Sequence, residues 1–276
     1  MESSVSQPQI TNNNLWDQKS GTFSTDLLKL TAMITMLIDH IGAGILEYLM
    51  YLDTVSGSTK TVLTDIDQVL RLIGRISFPL YCFLLVQGFL HTKNRLKYAG
   101  SLLFFAFLSE FPFDFMLYTS LDFSSLNVMF TLFIGLLTLW GIETARSNIV
   151  LICLISTMGM AMAAILNTDY SWMGVLLIVS FYLLRKNSFI QCTVTCVLFF
   201  LAMAIRYSKM HETLTQTFMY LLSSKYTVVL SFWMVYKCNG KRYLKKGKYL
   251  FYLFYPAHLL TIGIILRLIL TLFHLQ

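Results

Sequence analysis

Nine apolar runs, each closed off by polar or turn-forming residues, pattern the chain near 28–49, 70–91, 99–118, 126–143, 149–166, 170–184, 189–205, 213–236 and 248–273. A helix that crosses a bilayer needs about 20 mainly apolar residues, so the pattern predicts an all-α, polytopic transmembrane bundle of about nine spans, within a range of about eight to ten. Two runs fit a plain crossing badly. The sixth is short, and the eighth carries Ser223-Ser224-Lys225 near its middle, where a charge is costly unless it faces protein or water. Both are read as places for a broken or re-entrant helix, and a tenth crossing would move the C-terminus to the other side. Pro79, Pro112 and Pro256 fall inside predicted spans, where each removes a backbone donor, kinks its helix and helps to open cavities. No internal repeat is visible, which counts against the inverted-repeat design of many transporters.

Ahead of the first run, residues 1–26 are rich in Ser, Asn and Gln and lack the charged-then-apolar order of a cleaved signal peptide. They read as a disordered cytoplasmic tail, with 27–276 as one transmembrane bundle. Composition agrees, since 56% hydrophobic and 13% charged residues lie outside the range of soluble globular domains. The net charge of +7 raises nucleic acid as a partner, but the basic residues sit in short loops between apolar runs, which is the signature of membrane topology. Fourteen cations fall on the side of the tail, among them Lys29, Lys93 and the run Lys237 to Lys248, against only Lys60, Arg206 and Lys209 on the other. The positive-inside rule therefore predicts a multi-pass protein of the cell membrane with a cytoplasmic N-terminus. The five cysteines lie mostly in apolar runs without histidine at ligand spacing, so core thiols are expected and no metal.

The candidate chemistry lies in the ionisable residues inside the spans. Asp39 and His40 stand past the middle of span one with apolar residues on both sides, and such a residue needs a partner and marks a functional site by default. Neighbours on a helix point about 100° apart, so the two need separate partners. Arg71 and Arg75 in span two, and Glu110 and Asp114 in span three, are each spaced to share a helix face. The short basic loop His91 to Lys97 joins these spans, which predicts antiparallel packing with Arg75 paired to Asp114 or Glu110. A purely structural reading has the charges bracing the bundle or snorkelling, which suits Arg71 and Asp114. It accounts poorly for His40, because an imidazole is the side chain best able to take and return a proton near neutrality. His258 is either functional or satisfied by the carbonyl that Pro256 frees, and Asn127 is either a site residue or a helix cap. Arg267 and Lys225 are expected as bundle contacts or snorkelling side chains. The segment Lys237 to Lys248 holds six cations in twelve residues, which topology and anionic lipid explain. A phosphorylated cofactor would also suit it, although no glycine-rich phosphate loop is present.

Several segments carry a family likeness: Leu28-Lys29-Leu30 with Met36-Leu37-Ile38-Asp39-His40-Ile41-Gly42, Arg71 to Leu80, Gln87-Gly88-Phe89 before His91-Thr92-Lys93-Asn94, Ser109-Glu110-Phe111-Pro112-Phe113-Asp114, and Asn127 to Leu132. Together they resemble the TraX family, densely over 27–140 and more thinly at Tyr170 to Leu177, Asn239-Gly240-Lys241 and Tyr249 to His258. That family includes the conjugative pilin acetylase, which acetylates the pilin N-terminus. More remotely, a histidine in the first span and a Tyr-Pro-x-His segment in the last are similar to membrane acyltransferases that draw on cytoplasmic acetyl-CoA. Where relatives often have Glu before the Gly-Phe of span two, this chain has Gln87, so no acid–base role is expected there.

The resemblance implies a membrane-bound acyltransferase, specifically an N-acetyltransferase with acetyl-CoA as donor. Its acceptor would be an amine or hydroxyl outside the cytoplasm, such as the N-terminus of a pilin or secreted peptide. His40 would act as general base, Arg75 would stabilise an oxyanion or hold a carboxylate, and Asp39, Glu110 and Asp114 would set the electrostatics. Arg71, Asn127, His258, Lys93, Lys241 and Arg242 are the expected contacts to substrate or donor, with membrane lipid around the bundle. Two other classes stay open: a proton-coupled transporter, since pumps also place Asp, His and Arg within spans, and a non-catalytic assembly factor for pili or secreted peptides.

Overall fold

Apolar runs of this length leave the backbone no hydrogen-bond partner but itself, and helix is the result. The computed structural model describes residues 21–53, 55–117, 124–145, 148–208, 213, 215, 217, 226–243 and 248–273. Among them the chain forms α1 (Thr25–Ile41), a π-helical turn (Gly42–Leu46), α2 (Glu47–Tyr51), α3 (Gly57–Gly74), α4 (Ser77–His91), α5 (Arg95–Leu117), α6 (Val128–Thr144), α7 (Ile149–Ile165), α8 (Ser171–Leu183), α9 (Ser188–Ser208), α10 (Val228–Tyr236) and α11 (Lys248–Leu272).

The outer surface is apolar. Phe104, Phe107, Leu108 and Phe111 are exposed at helical spacing on α5, as are Leu151, Leu154, Met158 and Met162 on α7. In a soluble protein such stripes face the core; here they face outward, as a hydrocarbon solvent requires. Inside, Ser109, Thr138 and Ser180 return their hydroxyls to carbonyls one turn back at 2.6–2.8 Å, so that these three hydroxyls are satisfied without water. Five stretches, Thr25–Tyr51, Gly57–His91, Arg95–Leu117, Ser188–Ser208 and Phe251–Leu272, are long and apolar enough to cross a membrane. Val128–Thr144, Ile149–Ile165 and Ser171–Leu183 are apolar but shorter. This is a multi-pass, all-α membrane protein, with five crossings by length among the described residues where nine runs were expected. Ten residues of the expected span 213–236, Ser223, Ser224 and Lys225 among them, lie outside the described residues; its far end is α10.

Three local expectations change. Residues 57–69, expected as part of a loop, are helical, and α3 is amphipathic with Val62, Ile66 and Val69 exposed. The predicted span 70–91 is broken at Arg75-Ile76, where the Thr227 hydroxyl donates to the Leu72 carbonyl at 2.5 Å, and Pro79 falls in the first turn of α4, where a missing N–H costs nothing. The last residues of the expected tail are ordered: Phe23 pairs its backbone with Lys237 and Asn239 at 3.1 and 2.8 Å, and Thr25 N–H donates to the Lys241 carbonyl at 3.0 Å. The segment at 237–241 is thus tied to the start of α1.

Packing also departs from sequence order. α1 packs on α3, α4 and α11; α4 packs on α1, α6, α8 and α10; α5 packs on α6 and α11. α4 and α5, expected as antiparallel neighbours, touch near the loop that joins them, where Arg95 lies 4.6 Å from the Phe89 ring centroid and Tyr98 approaches Gly88, and both line a cavity.

The tail pairing has a direct test. A Cβ at Gly21 would stand 2.8 Å from backbone atoms of Lys237, Cys238 and Asn239, whereas one at Gly100 meets nothing within 4 Å. Gly21→Val is expected to lower the melting temperature in detergent by several degrees, while Gly100→Ala should be neutral or stabilise α5 by about 0.5–1 kcal/mol. Equal melting of both variants would remove the 21–25 pairing from the forces that hold the bundle.

Candidate active site

His40 lies in the last turn of α1 and His258 in α11. Their rings are parallel within 8° with centroids 4.9 Å apart, and His40 Nδ1 is 2.6 Å from His258 Nε2. His258 Nδ1 is in turn 2.6 Å from the Phe254 carbonyl oxygen. A carbonyl only accepts, so His258 Nδ1 carries the proton; in the neutral ring Nε2 then accepts, and His40 Nδ1 donates to it. His40 Nε2 is left with its lone pair, so the chain of bonds sets the tautomer of a base. The bond that holds His258 is not the one expected. Pro256 frees the Tyr252 carbonyl, one turn before itself, whereas the His258 ring reaches the carbonyl one turn before its own position.

Beside His40, Asp39 takes its separate partner. Arg71 Nη1 lies 2.7 Å from Asp39 Oδ2 and 3.3 Å from the Asp39 carbonyl, and Arg71 Nε is 3.4 Å from Glu47 Oε1. Two features of the chain permit this. A Cβ at Gly74 would overlap the Asp39 side chain, so only glycine lets α3 approach α1 here. Immediately after, the π-helical turn Gly42–Leu46 rotates Glu47 relative to a regular helix, a distortion common at functional sites.

Arg75 goes elsewhere. Its guanidinium lies against the Tyr170 phenol, and its Nε is buried with no hydrogen-bond partner. Tyr170 stacks on Phe78 with centroids 3.5 Å apart. It is held there by a strained loop: Asn167, Tyr170 and Ser171 have φ of 46°, 60° and 48°, a left-handed conformation that costs about 1–3 kcal/mol for each such residue. The loop is pinned by Asp169 N–H donating to Leu126 O at 2.8 Å and by the Asp169 side chain accepting from Tyr170 N–H at 2.9 Å.

The expected Arg75–carboxylate pair across α4 and α5 does not form. Glu110 Oε2 instead accepts from the Asn127 side-chain amide at 2.5 Å and backbone N–H at 3.3 Å, and Asn127 Nδ2 also reaches the Ala106 carbonyl at 2.8 Å. Asn127 Oδ1 caps α6 by accepting from Met129 N–H at 2.9 Å. Glu110 and Asn127 therefore brace α5 against the start of α6, and Asn127 caps that helix. Asp114 is fully buried one turn beyond Glu110 and forms no ion pair with Arg75.

Between α1, α4, α5, α6 and α11 lies a cavity of about 410 Å³, within the range of small-molecule sites. Its mouth carries Lys29, His91, Thr92 and Arg242; its deep end carries Met36, Val128 and Tyr255. His40 is one turn beyond Met36, and the His40 and Tyr255 rings are 6.0 Å apart. Of the three cations expected to meet a donor, Arg242 lines this mouth, while Lys93 and Lys241 are exposed outside it. Lys29, placed by the sequence only among topology-setting cations, joins Arg242. It lies 5.1 Å from the Phe251 ring centroid.

The family model for TraX protein matches residues 24–266. The chain belongs to the TraX family. It is 30% identical over 247 residues to a protein of Dichelobacter nodosus described as "Probable fimbrial assembly protein FimC, serogroup H1", a match that covers 86% of this chain and 93% of that one. No solved structure matches significantly.

Within this member of the family, Tyr170 beside Arg75 and Tyr255 beside His40 are residues of the candidate site that spacing did not single out. A tyrosine at the edge of an apolar run carries no periodic signal; its role depends on which helix it meets. The Asp39–Arg71 contact is open to a double-mutant cycle. Losing one partner of a poorly hydrated pair leaves the other charge uncompensated, so Arg71→Met should destabilise more than Arg71→Met with Asp39→Asn, with a coupling of roughly 0.5–3 kcal/mol. Strict additivity in chemical denaturation would show that the two do not interact.

Proposed function

We propose that the protein is a membrane-bound acyltransferase that moves an acetyl group from acetyl-CoA to an amine or hydroxyl of an acceptor beyond the bundle, such as a peptide N-terminus. The observation that carries this reading is the His40 Nε2 lone pair, fixed by His258 and Phe254, just beyond the deep end of a cavity with a cationic mouth. The residues fit the donor: cations at the mouth suit its phosphates, and a mainly apolar cavity suits a long, thin arm. Acetyl-CoA supplies the acetyl thioester.

The chain's own groups then have defined tasks. His40 Nε2 takes the proton of the acceptor nitrogen or oxygen as that atom bonds to the acetyl carbon. When the carbon–sulfur bond breaks, His40 returns the proton to the leaving sulfur. While His40 is charged, its Nδ1–H donates to His258 Nε2, so His258 orients and stabilises the imidazolium. Arg75, with Nε unpartnered, is the donor for the developing oxyanion. Asp39 and Glu47 hold Arg71, which keeps the charge next to His40 balanced. The fimbrial-assembly name of the relative fits a pilin as acceptor. Counted from Thr25 at about 1.5 Å per residue, His40 lies roughly 22 Å along its span, beyond the middle of a ~30 Å core. The reading therefore brings the donor from the basic, cytoplasmic side and the acceptor from the other.

Vesicles reconstituted with purified protein should release CoA and yield acetylated peptide, detected by mass spectrometry, when acetyl-CoA is supplied at the basic face. His40→Ala should lose about 10²–10⁴-fold in rate with an unchanged melting profile, and His40→Gln nearly as much, since an amide is no base. A rate for His40→Ala within a few-fold of wild type would remove it from the chemistry. A non-catalytic part in pilus assembly, which the relative's name also allows, predicts instead no CoA release by wild type and normal pilus production with His40→Ala.

A further inference from the structure

Gln87 is a polar group of the cavity that the chemistry above leaves unused. It lies on α4, is only 2% exposed and lines the cavity, and its side-chain Nε2 is buried with no hydrogen-bond partner. Buried amide donors in native proteins are almost always satisfied, so an orphan on a residue that lines a cavity points to a missing acceptor. We infer that Gln87 recognises the donor by hydrogen-bonding a peptide-like amide in its pantetheine arm. This rests on the acyl-CoA reading above and assigns the arm a specific contact.

Depth and chemistry both fit. Gln87 is one turn inward from His91, whose Nδ1 meets the Gln87 backbone carbonyl at 2.7 Å, so its side chain starts about 6 Å inside the mouth. In a pantetheine phosphate the first amide carbonyl is about five bonds from phosphorus, a reach of about 6 Å. A phosphate held by Lys29 and Arg242 therefore brings that amide level with Gln87. An amide offers both a carbonyl and an N–H, so either orientation of the Gln87 side chain is satisfied. The neighbouring wall of Leu84, Leu85 and Leu102 offers nothing polar in its side chains. A plain lipid chain in the same cavity would leave Gln87 orphaned, which makes this residue the point where an amide-bearing donor is told from an acyl lipid.

The test is binding to the full-length protein in detergent, with turnover not required. The probes are CoA and 3′,5′-ADP, which shares the adenosine, its 3′-phosphate and the first 5′-phosphate but lacks the second 5′-phosphate and the arm that it carries. Gln87→Leu is expected to bind CoA roughly tenfold more weakly than wild type, to bind 3′,5′-ADP equally well, and to melt at the same temperature or higher without ligand. Gln87→Met, closer in shape, should show the same selective loss and guards against a folding defect of the leucine variant. CoA affinity retained within about twofold in both variants, or an equal loss for both probes, overturns the assignment. Failure of wild type to bind either probe overturns the acyl-CoA reading itself, and with it this contact.

Discussion

A charge inside a bilayer persists only beside a partner that replaces the water it has lost, and the contact between Asp39 and Arg71 is where this protein meets that condition. To make it, α3 must approach α1 closely enough that position 74 carries no side chain. α1 must also turn through a π-helical segment directly afterwards, which brings Glu47 to the far side of Arg71. With Asp39 committed to α3, the adjacent His40 points elsewhere and meets α11 at His258. One ion pair thus orients the first span, and the orientation of that span decides which face presents His40 to α11.

The second consequence is space. α4 and α5 follow one another in the chain, yet each packs on other helices, and the volume between them is the cavity. Glu110 and Asn127 fasten α5 to α6, and Asn239 with Phe23 fastens the basic turn to the start of α1. These braces hold the walls apart. The left-handed turn at Tyr170 and Ser171 does the same for Arg75, by holding the tyrosine ring over Phe78. Strain of this kind persists only where surrounding bonds over-determine it, and the hydrogen bonds from Asp169 and Leu126 supply that.

In the proposed mechanism, proton handling follows from one acceptor. Because the Phe254 carbonyl cannot donate, the histidine pair has a direction, and that direction ends at His40 Nε2. In that proposal, two imidazoles and a backbone carbonyl take the part that a carboxylate plays for a histidine in many hydrolases. In a poorly hydrated interior this avoids placing a further negative charge beside Asp39.

Much of this was decided by residue type and order alone. Apolar runs dictated helices, because hydrocarbon leaves a backbone no other partner. The cost of burying Asp39, His40, Arg71 and Arg75 marked them as special before any packing was known. Adjacent residues on a helix diverge, so separate partners for Asp39 and His40 were implied as well. What order along the chain could not decide was which helices meet. A short loop between α4 and α5 reads as a hairpin, but side-chain packing, glycine contacts and the Glu110–Asn127 brace drew α5 toward α6 and α11 instead. Arg75 accordingly met Tyr170 rather than a carboxylate, and His40 met a histidine more than two hundred residues away. Local pattern determines which groups must find a partner, because desolvation acts on each residue where it stands; tertiary packing alone selects the partner, because that choice is made between surfaces distant in sequence.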